Sequence, residues 1–383
     1  MRKIRNRKIN VMFVTHADKK GGAEQSLIHL INYLNTAQYR IFLICPGEAS
    51  YLPEIRAEYE HIPMRLESVK RRLGLDYVAT VWRIRELVRK NRIDIVHANG
   101  WRAPWYAAPL KFFARCKLVW HHRDCMQQRM YDQVLPRFMD RVICISQFVA
   151  DSIQGVNKTV IYNGIDPKLA LTPKSRKFKE DGKLVVGIFG RIVEWKRYHL
   201  VIDAVHLLAQ SGKLDWKLLI VGDVSVDGSE AYYSDLIQRA IDYGLEHHVE
   251  FYGYSSKPIE LMKACDLTIN FSSNEPFGRV IIESMLAETP VIVADSGGAP
   301  EIIRRTQGGI VVKDGDVEAL SQAINSFDDG AFDSEEMGNR GYRSVMKEFH
   351  MNPIARQVED TYCSLLEQPV ASEKPDAVRR AAQ

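Results

Sequence analysis

Three observations predict a doubly wound α/β architecture repeated in two domains. Short apolar runs of strand length alternate with segments of helical period almost throughout, the pattern of parallel sheets flanked by helices. The alternation halts in a polar stretch at 166–182, rich in Pro, Lys, Ser and Asp, and then begins again. A chain of 383 residues also exceeds what one hydrophobic core usually organises.

The first strand is 9–14, an apolar run behind a basic start that is too short for a signal sequence and has no small-residue cleavage site after it. Further strands of the first half are expected at 40–45, 93–98, 117–121, 141–145 and 159–161. Its helices are expected at 24–34, 77–90, 105–113 and 147–153. The second half gives strands at 183–189, 216–221, 249–252, 267–271, 291–294 and 309–312. Its helices are 198–210, 234–243, 258–264, 280–286, 299–304 and 317–326, with two more at 343–349 and 354–366. The expected division is a first domain at 1–170, a second at 171–345, closing helices at 346–368 and a disordered tail at 369–383. Two such domains leave a cleft at the carboxyl ends of their strands, where ligands of doubly wound sheets bind.

Composition narrows the class. No apolar run approaches the roughly 20 residues that span a bilayer. Six cysteines without C-x-x-C spacing read as reduced core residues of a cytosolic protein, and no zinc site is expected. The net charge of +4 hides an asymmetry: residues 1–170 hold 28 Lys and Arg against 15 Asp and Glu, while the remainder holds 24 against 33. A basic half beside an acidic one points to an anionic partner. No nucleic-acid-binding module accompanies the charge, so nucleic acid is not expected.

The chemistry-bearing motifs sit at strand ends. Glu275-Pro276-Phe277-Gly278-Arg279-Val280-Ile281-Ile282-Glu283 places two carboxylates eight positions apart across a loop-to-helix junction, on roughly one helix face. Gly278 permits backbone amides to approach an anion, and Glu283 is an acid in an apolar run that needs a partner. That arrangement suits an elongated anionic ligand with hydroxyls at both ends, such as a nucleotide sugar. Gly190-Arg191 and Lys196 follow another strand and offer two cations to a diphosphate. Gly21-Gly22, after the first strand, forms a turn whose amides can face a phosphate; it lacks the G-x-G-x-x-G pattern of a dinucleotide site, and no cofactor is expected. Trp120-His121-His122-Arg123-Asp124 ends a first-half strand with two imidazoles, of which alternation sends one to the cleft and one to the core. Asn163-Gly164-Ile165-Asp166 ends the last strand of the first half at the hinge, and Gly297-Gly298 follows the strand after the Glu275 helix, a turn that could also form a second wall of the nucleotide pocket. No D-x-D pair stands at a strand end, since Asp314-Gly315-Asp316 lies in a surface turn and Asp223 and Asp227 flank a polar loop. A metal-bridged diphosphate is therefore not expected.

In order and spacing these motifs resemble the family 4 retaining glycosyltransferases, whose GT-B fold sets two Rossmann-like domains face to face. The resemblance spans roughly residues 9 to 365. It rests on Gly21-Gly22-Ala23-Glu24, Ile93-Asp94-Ile95-Val96-His97, Asn163-Gly164-Ile165-Asp166, Gly190-Arg191 with Lys196, the Glu275 to Glu283 segment, Pro290-Val291-Ile292 and Gly297-Gly298-Ala299-Pro300-Glu301. It implies transfer of a sugar from a UDP- or GDP-type donor to an acceptor hydroxyl. Arg191 and Lys196 would hold the diphosphate, Glu283 the ribose, Glu275 and the backbone of Phe277 to Val280 the sugar and phosphate, and Gly22 would touch the donor from the opposite domain. The family's strand-end histidine falls on His121 or His122. Acceptor attack on the face the diphosphate leaves requires no protein nucleophile, and the last helix would cross back to the first domain.

The acceptor is expected against the basic half. Lys70-Arg71-Arg72, the helix around Trp82, Arg83, Arg85, Arg89 and Lys90, and the segment Trp101 to Arg115 interleave rings with cations. Such segments can rest in an anionic headgroup layer, which suggests a peripheral enzyme on the inner face of a bacterial membrane working on a lipid-linked or cell-surface glycan precursor. Trp105, Phe112 and Phe113 read equally as core. The alternatives are a soluble sugar-phosphate or small-molecule acceptor, and a non-catalytic sugar-nucleotide-binding subunit.

Overall fold

Strand β1 (Ile9–Val14) is buried on both faces and pairs in parallel with β2 (Tyr39–Cys45) on one side and β4 (Ile95–Asn99) on the other. Such two-sided burial is why the run carries no polar alternation. The computed structural model describes residues 7–69, 74–126, 128–173, 183–213, 215–224 and 229–366. Lys70-Arg71-Arg72, Asp227, the tail 369–383, most of the polar stretch 166–182 and the first six residues lie outside the described residues.

The first sheet holds seven parallel strands in the order β3-β2-β1-β4-β5-β6-β7, with β3 at Tyr59–Pro63, β5 at Lys117–His122, β6 at Arg141–Cys144 and β7 at Lys158–Val160. Its helices are α1 (Gly22–Tyr33), α2 (Leu75–Lys90), α3 (Ala103–Ala107), α4 (Leu110–Phe113) and α5 (Gln147–Asp151). The second sheet holds six, in the order β10-β9-β8-β11-β12-β13: β8 Leu184–Phe189, β9 Trp216–Val221, β10 Val249–Gly253, β11 Leu267–Asn270, β12 Val291–Ala294 and β13 Gly309–Val312. With it come α6 (Tyr198–Gln210), α7 (Glu230–Asp242), α8 (Pro258–Met262), α9 (Arg279–Leu286), α10 (Ala299–Thr306), α11 (Val317–Asp328) and α12 (Ser334–Ser344). In both sheets the order reverses at the first strand, β1/β4 and β8/β11, the switch point at which doubly wound sheets in general bind ligands.

Three elements depart from expectation. Strand β3 escapes the periodicity because it is a short edge strand, Tyr-Glu-His-Ile-Pro, closed by a proline that an interior strand would not accept. The helix expected at 105–113 splits into α3 and α4 because Pro109 has no N–H for the ladder and becomes the cap of α4. Helix α12 is disguised by Gly338 and Gly341. Each buys close approach at the cost of helix propensity: a Cβ on Gly338 would lie 2.1 Å from Glu288 O, and one on Gly341 would lie 3.1 Å from Gly308 Cα.

After α12 the chain makes a π turn (Val345–Phe349) and enters α13 (Met351–Leu366), which returns to the first domain. Met351, Ile354, Ala355, Val358 and Tyr362 bury their side chains among Leu27, Ile31 and Tyr39 of that domain. The crossing is pinned to the hinge, where Ile165 N–H donates to Phe349 O (2.8 Å) and Met351 N–H to Ile165 O (3.1 Å). Gly164 makes this possible, since a Cβ there would lie 2.5 Å from Met351 Sδ.

Candidate active site

The second-domain wall of the cleft is built by loops after β8 and β11. Gly190, at φ +133° in a backbone region that favours glycine, turns the chain after β8. A Cβ on Gly222 would fall on Gly190 O, so the two loops cross in contact. This delivers Lys196 into the cleft, where its Nζ forms an ion pair with Glu275 Oε2 at 2.6 Å; both side chains are nearly buried. Arg191 lies exposed at the mouth.

Glu275 is held from behind. Gly297 adopts φ +67°, and a Cβ there would lie 2.4 Å from Glu275 O. Gly298 N–H donates to Glu275 O (2.7 Å), and Asn274 N–H to Ser296 Oγ (2.9 Å). The Gly297-Gly298 turn is thus the backing of the glutamate loop. Phe277 is buried against Tyr162 and Phe349, so only its backbone faces the cleft edge. Gly278 (φ +86°) caps α9, which then runs through Arg279 and Val280 to Glu283.

Glu283 is not alone in its apolar run. Arg279, one turn earlier, pairs with it at 3.0 Å. The same guanidinium donates to Ser26 Oγ of α1 (3.0 Å) and to Gly164 O at the hinge (3.3 Å), so the α9 carboxylate is tied to both domains. Gly22 stands opposite: a Cβ there would lie 3.6 Å from Arg279 Cδ. Gly21 is the N-cap of α1, and its N–H donates to buried Glu24 (3.3 Å), whose carboxyl is pushed up by burial. Ser146 Oγ donates to Pro276 O (2.5 Å), and Gln147 N–H donates to Glu301, closing the far end of the cleft.

Alternation along β5 separates the two histidines, but it puts neither on an open surface. His122 enters the core, stacked on Trp120 at 4.2 Å with Tyr131 at its edge. Neither of its ring nitrogens has a hydrogen-bond partner among the described residues, and burial lowers its pKa to about 3. His121 lies on the α1 side and is also buried, within a polar group the sequence did not announce. Its Nδ1 lies 3.2 Å from His97 Nε2 and 3.3 Å from Arg123 Nη2. Arg123 turns inward and donates to Asn99 Oδ1 (2.6 Å) and Asn163 Oδ1 (2.5 Å). Burial, with Glu24 opposing it, brings the Arg123 guanidinium down to about 9. Asp124 follows; burial pushes its carboxyl up to about 6 against the pull of Arg123 and of Arg191 across the cleft.

The aromatic and basic surface of the first domain divides. Phe112 and Phe113 are exposed (70% and 58%), as are Leu75, Val78 and Trp82 on one face of α2, whereas Trp105 packs on the core. Arg85 lies over the Trp82 ring at 4.4 Å and donates to Phe113 O, joining α2 to α4. Among the described residues no helix is long and apolar enough to cross a membrane.

Two doubly wound parallel sheets, with a last helix that returns to the first, make the fold of the GT-B glycosyltransferases. Two family models bear on it, Glycosyltransferase Family 4 over residues 20–169 and Glycosyl transferases group 1 over residues 172–344. The chain belongs to glycosyltransferase family 4. It is similar to LpsE of Rhizobium meliloti, a lipopolysaccharide core biosynthesis glycosyltransferase, at 26% identity over 362 residues, 92% of this chain and 97% of that one. It is similar also to the lipopolysaccharide core biosynthesis mannosyltransferase LpcC of Rhizobium leguminosarum bv. viciae, at 29% identity over 65% of this chain and 72% of that one. Among solved structures, Anabaena HepE in complex with UDP and glucose matches with a TM-score of 0.79 at 26% identity, covering 93% of this chain and all of that one.

Proposed function

We propose that the protein is a retaining glycosyltransferase that moves a sugar from a nucleoside-diphosphate sugar to a hydroxyl of a lipid-linked or cell-surface glycan precursor. The observation that carries this reading is the nearly buried Lys196–Glu275 pair beside Arg279–Glu283, with Gly21 and Gly22 facing them. Two ion pairs in a crevice are a site in waiting. A diphosphate takes over Lys196 and Arg191, and Glu275 is freed to accept hydrogen bonds from the sugar. Glu283, held by Arg279, accepts from the ribose hydroxyls, and the amides at Gly278 to Val280 open the N-terminus of α9 to phosphate oxygens.

Cleaving the bond from the anomeric carbon to the phosphate oxygen leaves positive charge on the sugar and negative charge on the diphosphate. Fixed cations at the diphosphate stabilise that separation without reorganisation. The acceptor hydroxyl attacks on the face that the diphosphate vacates and gives its proton to the departing phosphate oxygen. No metal and no protein nucleophile is assigned a step. HepE, which holds UDP and glucose, and the lipopolysaccharide relatives support the donor class and the glycan setting.

The exposed Leu75, Val78, Trp82, Phe112 and Phe113, set among Arg83, Arg85, Arg89 and Lys111, support seating on an anionic bilayer at the inner face of the cell membrane. The test is a nucleotide-sugar panel by thermal shift, then by hydrolysis and transfer, with Glu275→Ala and Lys196→Ala alongside. Unimpaired transfer by either variant sinks the site. For the membrane, protein that stays in the supernatant with anionic vesicles at low salt sinks the docking surface.

A further inference from the structure

Two buried hydrogen-bond donors stand side by side at the carboxyl edge of the first sheet with nothing to donate to. Asn99 ends β4 and His121 lies on β5, and the two are register partners. Among the described residues, Asn99 Nδ2 and His121 Nε2 have no hydrogen-bond partner, although Asn99 is 1% exposed and His121 4%. Leaving a buried donor without an acceptor costs its full desolvation, so a pair of them at a ligand-binding edge calls for an occupant.

Both are aimed by the same cation. A guanidinium can only donate. Arg123 therefore fixes the Asn99 amide with Oδ1 toward itself (2.6 Å) and the NH2 group away, and it requires a lone pair on His121 Nδ1 (3.3 Å). A neutral imidazole with a lone pair on Nδ1 carries its proton on Nε2. His97 must then supply an N–H from its own Nε2 to His121 Nδ1 (3.2 Å), which leaves His97 Nδ1 as an acceptor. The donor to that atom is the phenol of Tyr362 on α13, at 2.6 Å. If Tyr362 did not donate, His97 could carry its proton on Nδ1 and turn a lone pair toward the lone pair of His121.

We propose that Asn99 joins His121, one of the two histidines already expected at the strand end of the site, as the second donor of a cradle for oxygens of the bound sugar nucleotide, and that Tyr362, through His97, is the positioning residue that keeps His121 Nε2–H directed toward them. The occupant rests on the glycosyltransferase reading above; the relay of tautomers does not. The returning helix α13 thereby does more than bury apolar surface, for it supplies the terminal donor of the chain.

The test separates the two claims. In the ligand-free, full-length protein with 15N-labelled histidine, long-range 1H–15N correlation spectra report which nitrogen of each ring is protonated. His97 and His121 are both expected as Nε2–H tautomers. In Tyr362→Phe, His97 is expected to lose its single tautomer with the melting temperature nearly kept, while His97→Gln, which retains a donor toward His121, is expected to preserve His121 Nε2–H. Finding His121 protonated on Nδ1, or a His97 signal unmoved by Tyr362→Phe, overturns the relay whatever the enzyme's activity. For the cradle, the probe is UDP-glucose. Addition is expected to shift the His121 Nε2–H resonance, and Asn99→Ala and Tyr362→Phe each to lower kcat/KM by roughly tenfold, the size of one net hydrogen bond. A shift absent from His121 while UDP-glucose binds and turns over overturns the cradle; if UDP-glucose does not bind, GDP-mannose takes its place as the probe with the same two outcomes, and failure of both to bind overturns the donor reading and the cradle together while the tautomers still decide the relay.

Discussion

The two walls of the cleft offer a ligand different chemistry. The second-domain wall is ionic: Lys196 with Glu275 and Arg279 with Glu283, in two pairs delivered by loops and one short helix. The first-domain wall is polar but largely uncharged, made of His97, His121, Asn99, Asn163 and Tyr362 around a single buried guanidinium. Burial holds its histidines far below their ordinary pKa, so they are neutral at pH 7. The division suits the reaction. In the proposed transfer, charge would separate at the leaving diphosphate, where fixed ions act strongly, whereas the sugar would bring hydroxyls, which neutral donors sort by position.

That contrast is tested most severely on the ionic wall. Glu275→Ala and Lys196→Ala are each expected to lower kcat/KM by about 10²–10³-fold, the cost of removing one electrostatic stabiliser from a preorganised site. The double variant is expected to lose little more than either single one, because the two act as a unit. Steady-state transfer kinetics decide it. Additive losses would mean that the Lys196–Glu275 pair is incidental to function.

A smaller effect comes from the support behind that wall. Gly297→Ala forces a side chain at φ +67° and sets a Cβ 2.4 Å from Glu275 O. A loss of roughly 1–3 kcal/mol in stability is expected, read by denaturant unfolding, with transfer falling along with it. If stability drops while activity holds, the Glu275 loop tolerates displacement and the ionic wall is less preorganised than its contacts suggest.

Where the walls meet, the sign of a pH effect is informative. Burial raises Asp124 to about 6, and Arg191 faces it across the cleft. Above that pH the carboxylate competes with a diphosphate for Arg191, and donor binding restores the proton. Donor affinity is therefore expected to fall several-fold as pH rises through about 6, with net proton uptake on binding. Calorimetry in buffers of different ionisation enthalpy measures it, and Asp124→Asn is expected to abolish the dependence. An unchanged proton count in that variant would remove Asp124 from the boundary.

How legible this was depends on how the residues lie along the chain. The ionic wall could be read because its parts are contiguous: Glu275 to Glu283 is one run, and Gly190, Arg191 and Lys196 another. Parallel strands announced themselves by their apolar runs, while β3 and α12 stayed hidden because an edge proline and two packing glycines contradict local propensity. The neutral wall left its traces apart from one another, in the runs that hold His97, His121 and Asn163, with nothing to say that they would meet. Asn99, Arg123, Asn163 and Tyr362 come from β4, the loop after β5, the hinge and the last helix, and only the sheet order brings them together. The Trp120 to Asp124 run did mark the place, but alternation separated its two histidines without revealing that both would be buried.

The smallest effect on activity, and the clearest on stability, belongs to His122. The ring lies between Trp120 and Tyr131 with no polar partner among the described residues, and burial holds it at about 3. Unfolded, it takes a proton near 6.5, so the denatured chain binds more protons than the native one between those values. Its contribution to stability is present above pH 6.5 and is lost as pH falls toward 3; His16, His29 and His97, lowered to about 4, 3 and 3, act in the same sense. Asp124 acts oppositely, since its raised pKa means that acidification from about 6 to 4 favours the native state. His122→Phe keeps the stacked ring and removes the titration, so its unfolding free energy is expected to fall less steeply between pH 6.5 and 4, with kcat/KM within about twofold of the parent. A large loss of transfer in that variant would place His122, and not His121, at the ligand.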